Sequence, residues 1–346
     1  MVLTDLLGTE LPIVQAPMAG VQGSALAVAV SNAGGLGSLP CAMLDADAMR
    51  RELSAIRAQT TKPFNVNFFC HAQPDVSVER ETRWRAVLSP YYAELSIDAS
   101  AIAAGPGRLP FDVGVADLLS EFKPPVVSFH FGLPSADLLA RVHGWGAKIL
   151  SSATTVDEAR WLEAHGVDAV IAQGFEAGGH RGLFLSEDLS TQVGTMALVP
   201  QVVNAVNVPV IAAGGIADAK GVKAALALGA AGVQVGTAYL LCPEATTSAI
   251  HRAALKSEAT VTAVTNVFTG RPARGIMNRI IRELGPISTA APAFPLAVAA
   301  VAPLRAKAES LGSSDFSPLW AGQNTTGCRE IPAAVLTREL AALLAT

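Results

Sequence analysis

Eight short apolar runs, each followed by a stretch with helical character, recur along the first two-thirds of the chain. Several runs, such as residues 208–213, are continuously apolar instead of alternating. Strands that are covered on both faces have this pattern, so it predicts a parallel sheet. The predicted strands are residues 13–16, 35–39, 64–69, 125–131, 148–152, 169–173, 208–213 and 232–235.

Start and stop signals place helices between these runs. Residues 154–158 open a helical run to Ala164 that Gly166 ends, and Asp218 is the candidate cap of the run through Leu228 that Gly229 closes. Eight consecutive β/α units favour a closed (β/α)8 barrel, the TIM barrel, over the alternative of a doubly wound sheet.

Two segments depart from this alternation of strands and helices. Residues 72–122, between the third and fourth strands, are richer in charge, Trp and Tyr and are interpreted as a helical insertion. Residues 243–346 show no further barrel strand and are Ala-rich with several prolines, which predicts a helical lobe over the barrel mouth. The predicted organisation is therefore a barrel of residues 1–242 and a substrate-side lobe of residues 243–346.

Composition narrows the class of protein. A net charge of −4 gives no basic field for nucleic acid, and no apolar stretch reaches the ~20 residues that a membrane span needs. The N-terminus lacks the basic start and apolar run of a secretory signal, so we expect a cytoplasmic location. The four scattered cysteines contain no CxxC pair, which favours reduced thiols and predicts no metal site.

Glycines follow the seventh and eighth strands, where barrel enzymes commonly bind phosphate. Gly214 and Gly215 end one strand, and the segment Gln234, Val235, Gly236 and Thr237 ends the next. Glycine lets backbone N–H groups approach phosphate oxygens without a Cβ in the way. A single pair could be an ordinary tight turn, but two such sites at neighbouring strand ends predict a phosphate site.

The loop after the sixth strand runs from Gln173 to Gly182 and contains four glycines around His180. Backbone of this kind can lie against a planar ligand, and we expect Gly178 and Gly179 to do so. Histidine exchanges a proton near neutral pH, so His180 is the predicted catalytic residue.

Other positions give weaker indications. Ala16, Pro17 and Met18 end the first strand and would present backbone amides to a flat ring, and Asn67 is a polar group near the end of the third strand. Each of these has an equally ordinary structural interpretation.

The roles of three cationic or titratable residues remain open at this point. His130, at the end of the fourth strand, is at least as easily a buried structural histidine as a catalytic one. Arg271 and Arg274 would either bind an anion or tie the lobe to the barrel. The sequence contains no GxSxG, HExxH, Walker or strand-turn-helix GxGxxG motif, which argues against a dinucleotide Rossmann site.

These motifs together resemble the nitronate monooxygenase family, formerly called 2-nitropropane dioxygenases. The resemblance runs to about residue 242 and extends to residues 269–275; the histidine loop is its most specific part. It implies non-covalent FMN, contacted by Asn67, Gln173, Gly178, Gly215 and residues 234–237, with His180 as the catalytic residue.

The resemblance further implies oxidation of alkyl nitronates, such as propionate 3-nitronate, or nitroalkanes with O2, giving a carbonyl compound and nitrite. His180 would take the α-proton of a neutral nitroalkane or orient the anionic nitronate. The chain departs from the family in its tail, which has no tyrosine and only Lys256 and Lys307 where tyrosines and a lysine surround the substrate.

Three alternatives stay open. The first is an NAD(P)H-dependent quinone or enoyl-thioester reductase of the same FMN-barrel superfamily. The second is a flavin- or phosphate-binding barrel without turnover. The third is a sugar-phosphate barrel enzyme, for which Glu176 is the obvious base.

Overall fold

The computed structural model describes residues 2–102, 108–258 and 260–344. Within these ranges the chain forms eleven strands: β1 Ile13–Gln15, β2 Gly37–Pro40, β3 Phe64–Phe69, β4 Val126–His130, β5 Lys148–Ala153, β6 Ala169–Gln173, β7 Gly179–His180, β8 Val210–Ala213, β9 Gly232–Val235, β10 Thr262–Thr265 and β11 Ala273–Ile276.

The same ranges contain thirteen α-helices, none of which has the length and hydropathy to cross a membrane. They are α1 Leu3–Leu7, α2 Ser24–Asn32, α3 Ala46–Gln59, α4 Val78–Glu94, α5 Val113–Phe122, α6 Ala136–Gly144, α7 Val156–Ala164, α8 Thr195–Val203, α9 Ala219–Ala227, α10 Ala249–Leu255, α11 Arg279–Leu284, α12 Val298–Ser310 and α13 Ala333–Leu340.

Eight parallel strands form the barrel, in the order β1-β9-β8-β6-β5-β4-β3-β2. A parallel bridge between Val14 and Leu36 joins the two ends of this order. Leu36 N–H donates to the carbonyl of Ile13 at 2.8 Å, and Gln15 N–H donates to that of Leu36 at 2.9 Å. The predicted (β/α)8 barrel is confirmed.

The predicted start of one helix and the predicted cap of another are also confirmed. Thr155 caps α7 by accepting from the backbone N–H of Glu158 at 3.2 Å. Asp218 caps α9 by accepting from the N–H of Gly221 at 2.8 Å. These contacts are local, which is why short sequence patterns predicted them.

The segment after β3 is only partly an insertion. Helix α5 packs between α3 and α6, in the position of the barrel helix that follows β3. Helix α4 packs on α12 instead: Trp84 Nε1–H donates to the carbonyl of Ala297 at 3.4 Å, and the Tyr92 hydroxyl donates to that of Ala300 at 2.6 Å. The insertion thus shares a core with the C-terminal segment; residues 103–107 of the predicted insertion lie outside the described ranges.

The C-terminal segment contains two features that the sequence pattern did not predict. Besides its helices it has β10 and β11, which pair antiparallel, and β11 also pairs with β7 of the histidine loop. Helix α13 packs on α2 and α9, with Leu336 and Leu340 buried in the barrel core. A cut at residue 242 therefore leaves out a barrel helix, because the chain returns to the barrel after forming the lobe.

Candidate active site

A cavity opens at the carboxyl ends of the barrel strands. Thirteen of the predicted site residues line it: Ala16, Pro17, Met18, Asn67, Gln173, Gly178, Gly179, His180, Gly214, Gly215, Gln234, Gly236 and Thr237. Val235 does not, because successive strand residues point to opposite faces and its side chain lies in the core behind the barrel wall. Its carbonyl contributes by accepting from the N–H of Ala16 at 2.8 Å.

The glycines at the ends of β8 and β9 form an open backbone cradle. Gly214 and Gly215 have φ values of 120° and 72°, in the left-handed region that favours glycine. Their N–H groups donate to no acceptor in the described part of the chain. The cradle is completed from the lobe, since Asn324 Nδ2 donates to the carbonyl of Gly215 and Gly322 N–H donates to the hydroxyl oxygen of Thr237, both at 2.9 Å. Free backbone donors in such a cradle fit an anionic phosphate.

The amide side chains at the cavity wall differ in which of their polar atoms lack a hydrogen-bond partner. The Oε1 atom of Gln234 is buried without a partner among the described residues, so it offers an unused acceptor. Asn67 Nδ2 donates to the hydroxyl of Ser128 at 3.0 Å, which leaves its Oδ1 available. Gln173 is occupied at both ends: its Nε2 donates to the carbonyl of His180 at 3.0 Å and its Oε1 accepts from the N–H of Gly182 at 2.8 Å. Gln173 therefore holds the histidine loop, instead of presenting a free amide.

His180 lies at the wall of this cavity, with 8% of its surface exposed. Aromatic rings surround it, with centroid distances of 6.0 Å to Phe69, 5.3 Å to Phe294 and 5.6 Å to Trp320. Its Nε2 lies 3.0 Å from the hydroxyl oxygen of Thr269, and its Nδ1 has no hydrogen-bond partner in the described part of the chain.

The charge state of His180 follows from these surroundings. Burial is the largest effect and holds the pKa of His180 well below its ordinary value, and the positive charges of Arg108 and Arg271 lower it further. The imidazole is therefore neutral at neutral pH. A neutral imidazole with one free nitrogen facing a cavity is able to accept a proton.

His130 forms a hydrogen bond to the backbone of His180. Its Nε2 lies 3.1 Å from the carbonyl oxygen of His180 and donates to it, and its Nδ1 is hydrogen-bonded to the hydroxyl of Ser152. Burial lowers the pKa of His130 to about 3, so it stays neutral. Of the two interpretations left open by the sequence, the contacts favour a structural role.

Three arginines fix the loops around His180. The guanidinium of Arg181, an unpredicted contributor, is fully buried and donates to the carbonyls of Gly174 at 2.7 Å and Gln173 at 2.8 Å. Arg274 Nε–H donates to the carbonyl of Phe175 at 3.0 Å, and Arg271 donates to that of Leu183. Arg271 and Arg274 thus tie the lobe to the barrel, one of the two roles open to them.

Glu176 is committed to helix capping. Its Oε2 accepts from the backbone N–H of Thr195 at 2.8 Å and from the hydroxyl of the same residue at 2.7 Å. This carboxylate sits at the start of α8 and is engaged, which argues against its use as the base of a sugar-phosphate enzyme.

Several residues of the site carried no signal in the sequence analysis. Phe69, Arg108, His251 and the segment 320–324 all contribute to the cavity wall, and Thr269 contacts His180 from outside that wall. A run of small residues, Ala321, Gly322 and Asn324 among them, is the one local hint of a close backbone approach. Their roles depend on where the lobe docks.

A (β/α)8 barrel with an open backbone cradle after its last two strands and a neutral histidine at its mouth has the layout of a barrel enzyme. The nitronate monooxygenase family model matches residues 1–342. The chain belongs to the nitronate monooxygenase family.

Individual relatives agree with this assignment. The chain is similar to nitronate monooxygenases of Pseudomonas aeruginosa (44% identity, 97% of each chain) and Paraburkholderia phytofirmans (44% identity, 98% of this chain and 93% of the other). Among solved structures it is similar to nitroalkane oxidase from Streptomyces ansochromogenes, with a TM-score of 0.89, 42% identity, and 99% and 97% of the two chains covered. It is also similar to FabK from Thermotoga maritima, with a TM-score of 0.72, 30% identity, and 98% and 94% covered.

Proposed function

We propose that this protein is an FMN-dependent enzyme that oxidises alkyl nitronates or nitroalkanes with O2, giving a carbonyl compound and nitrite. The observation that carries the proposal is His180, a neutral imidazole whose free Nδ1 lies at the wall of the same cavity as the glycine cradle. Relatives named nitronate monooxygenase and nitroalkane oxidase support the substrate class.

The residues present fit FMN. The open cradle at Gly214 and Gly215 would take the phosphate, and the unpaired Oε1 of Gln234 would accept a hydrogen bond from the ring or ribityl chain. Asn67 would contact the ring edge through its free Oδ1. When bound, the flavin supplies the electron acceptance that no side chain of the cavity provides.

Within the site, the chain's own residues handle the proton and position the substrate. Nδ1 of His180 accepts the α-proton of a neutral nitroalkane, and the N–H so formed donates a hydrogen bond to the nitronate anion. Phe69, Phe294 and Trp320 pack around the imidazole with apolar surface, which would exclude water from the reacting carbon. In the net reaction two nitronates and one O2 give two carbonyl compounds and two nitrites: each carbon–nitrogen bond breaks, and an oxygen atom derived from O2 becomes the carbonyl oxygen.

A direct test uses the purified yellow protein. The released cofactor is identified by mass, and the enzyme is then mixed anaerobically with a nitronate, NADH or NADPH while the flavin absorbance is followed. We expect bleaching by the nitronate and, in air, one nitrite for each carbonyl formed. Rapid bleaching by a nicotinamide alone would instead support an NAD(P)H-dependent reductase, the first alternative left open by the sequence, and a colourless protein would refute the flavin itself.

A further inference from the structure

Arg108 is a cation without a partner at the mouth of the barrel. It is the one residue with a permanent charge among the described residues that line the cavity of His180. No ion pair or side-chain hydrogen bond of its guanidinium occurs within the described ranges. The neighbouring residues 103–107, which lie outside those ranges, contain no acidic side chain in the sequence.

Aromatic rings connect Arg108 to the catalytic histidine. Its guanidinium carbon lies 5.9 Å from the ring centroid of Phe69 and 5.9 Å from that of Phe294, and both rings also contact His180. Ring faces stabilise a cation only in part, and burial lowers the pKa of Arg108 without neutralising it. A buried positive charge without a carboxylate partner is available to bind an anionic ligand.

The position of Arg108 indicates which part of a substrate its guanidinium would contact. Arg108 and Phe69 line both the cavity of His180 and a second, mostly apolar cavity beside it. The two carboxylates that line the second cavity, Asp45 and Asp112, already cap α3 and α5. Because Arg108 lies where the two cavities meet, a substrate that extends from His180 toward the second cavity would bring its far end to the guanidinium.

We infer that Arg108 is a specificity-determining residue that binds a carboxylate at the far end of the substrate, so that the enzyme prefers nitronates that carry a carboxylate tail. This inference rests on the proposed function.

The test compares two nitronates that differ in one group. Propionate 3-nitronate carries the carboxylate, and propyl-1-nitronate has a methyl group in its place. We expect the wild-type holoenzyme to favour the former in kcat/KM, and Arg108→Met to lower the ratio of the two kcat/KM values by about tenfold to a hundredfold, mainly through KM, because one charge-assisted hydrogen-bond pair is lost. Arg108→Lys should recover part of the ratio.

Controls make each outcome decisive. Arg80→Met removes an exposed arginine of α4 in the same insertion and should leave the ratio unchanged. Arg108→Gln serves if Arg108→Met loses flavin or folds poorly. If propyl-1-nitronate is oxidised but Arg108→Met or Arg108→Gln leaves the ratio as in wild type, or lowers both substrates equally, the carboxylate assignment is wrong. If the wild type oxidises neither nitronate, the proposed function itself fails.

Discussion

Nε2 of His180 lies 3.0 Å from the hydroxyl oxygen of Thr269, a residue 89 positions further along the chain. The same hydroxyl lies 3.3 Å from the carbonyl oxygen of Arg271, to which it donates. We infer that the hydroxyl hydrogen is used toward Arg271, so that Nε2 carries the ring hydrogen and donates to Thr269. In this tautomer Nδ1, which has no partner among the described residues, keeps a lone pair that is able to accept a proton.

The first prediction tests that tautomer selection. Thr269→Val removes the hydroxyl at nearly constant volume, and we expect kcat for a neutral nitroalkane to fall roughly tenfold, as for loss of an orienting hydrogen bond of about 1 kcal/mol or more. Oxidation of a preformed nitronate needs no proton removal and should fall less. Thr269→Ser should restore the rate; equal losses with both substrates would indicate a packing defect.

Replacement of His180 itself should separate proton transfer from flavin binding. For His180→Asn we expect kcat/KM for nitroethane to fall roughly 10²–10⁴-fold, the usual contribution of a general base. Flavin content should stay near wild type, since the cradle at Gly215 is built from other segments. His143→Asn, on the exposed surface at the end of α6, is the matched control. Unchanged nitroalkane turnover in His180→Asn would refute the mechanism.

The phosphate cradle is testable by a pair of glycine substitutions. Gly215 and Gly312 have similar φ values of 72° and 78°, so alanine carries a similar backbone cost of roughly 1–2 kcal/mol at both. Only Gly215 lies in the cavity, whereas an added Cβ at Gly312 meets open space. Gly215→Ala should therefore weaken flavin binding, measured by fluorescence of released flavin on dilution, and Gly312→Ala should not. Equal weakening would place the phosphate elsewhere.

Buried histidines predict acid sensitivity of the fold. Burial lowers the pKa of His130 to about 3 and that of His251 to about 4, both below the ordinary value of about 6.5. Between pH 6.5 and 4 the unfolded chain binds protons that the native state does not, so the free energy of unfolding falls as pH falls, by up to ~1.4 kcal/mol per histidine and pH unit.

Urea unfolding of the holoprotein at pH 7, 6 and 5 measures this slope. His251→Gln removes one of the contributing groups and should flatten the slope by up to ~1.4 kcal/mol per pH unit, with full stability present only above pH 6.5. The same slope in wild type and variant would show that His251 does not stay neutral in the native state.

The sequence by itself determined the barrel and predicted the centre of the candidate site. Buried strands such as β8 are continuously apolar, caps such as Asp218 act within four residues, and the glycines of the cradle stand directly at strand ends, so local pattern and spacing were sufficient. His180 was found in the same way, because its loop contains four glycines within ten residues.

Only the tertiary structure decided which residues from distant segments contact His180 or line its cavity. Thr269, Arg108, Asn324 and helix α13 reach the barrel from segments far away in the chain: Asn324 contacts a residue 109 positions before it. The sequence also did not show which side chains face the cavity, since Val235 and Gln234 are neighbours in sequence and face opposite sides of one strand. Local propensity encodes elements and turns, whereas the tautomer of His180 and the unpaired charge of Arg108 depend on long-range packing that no short stretch of sequence specifies.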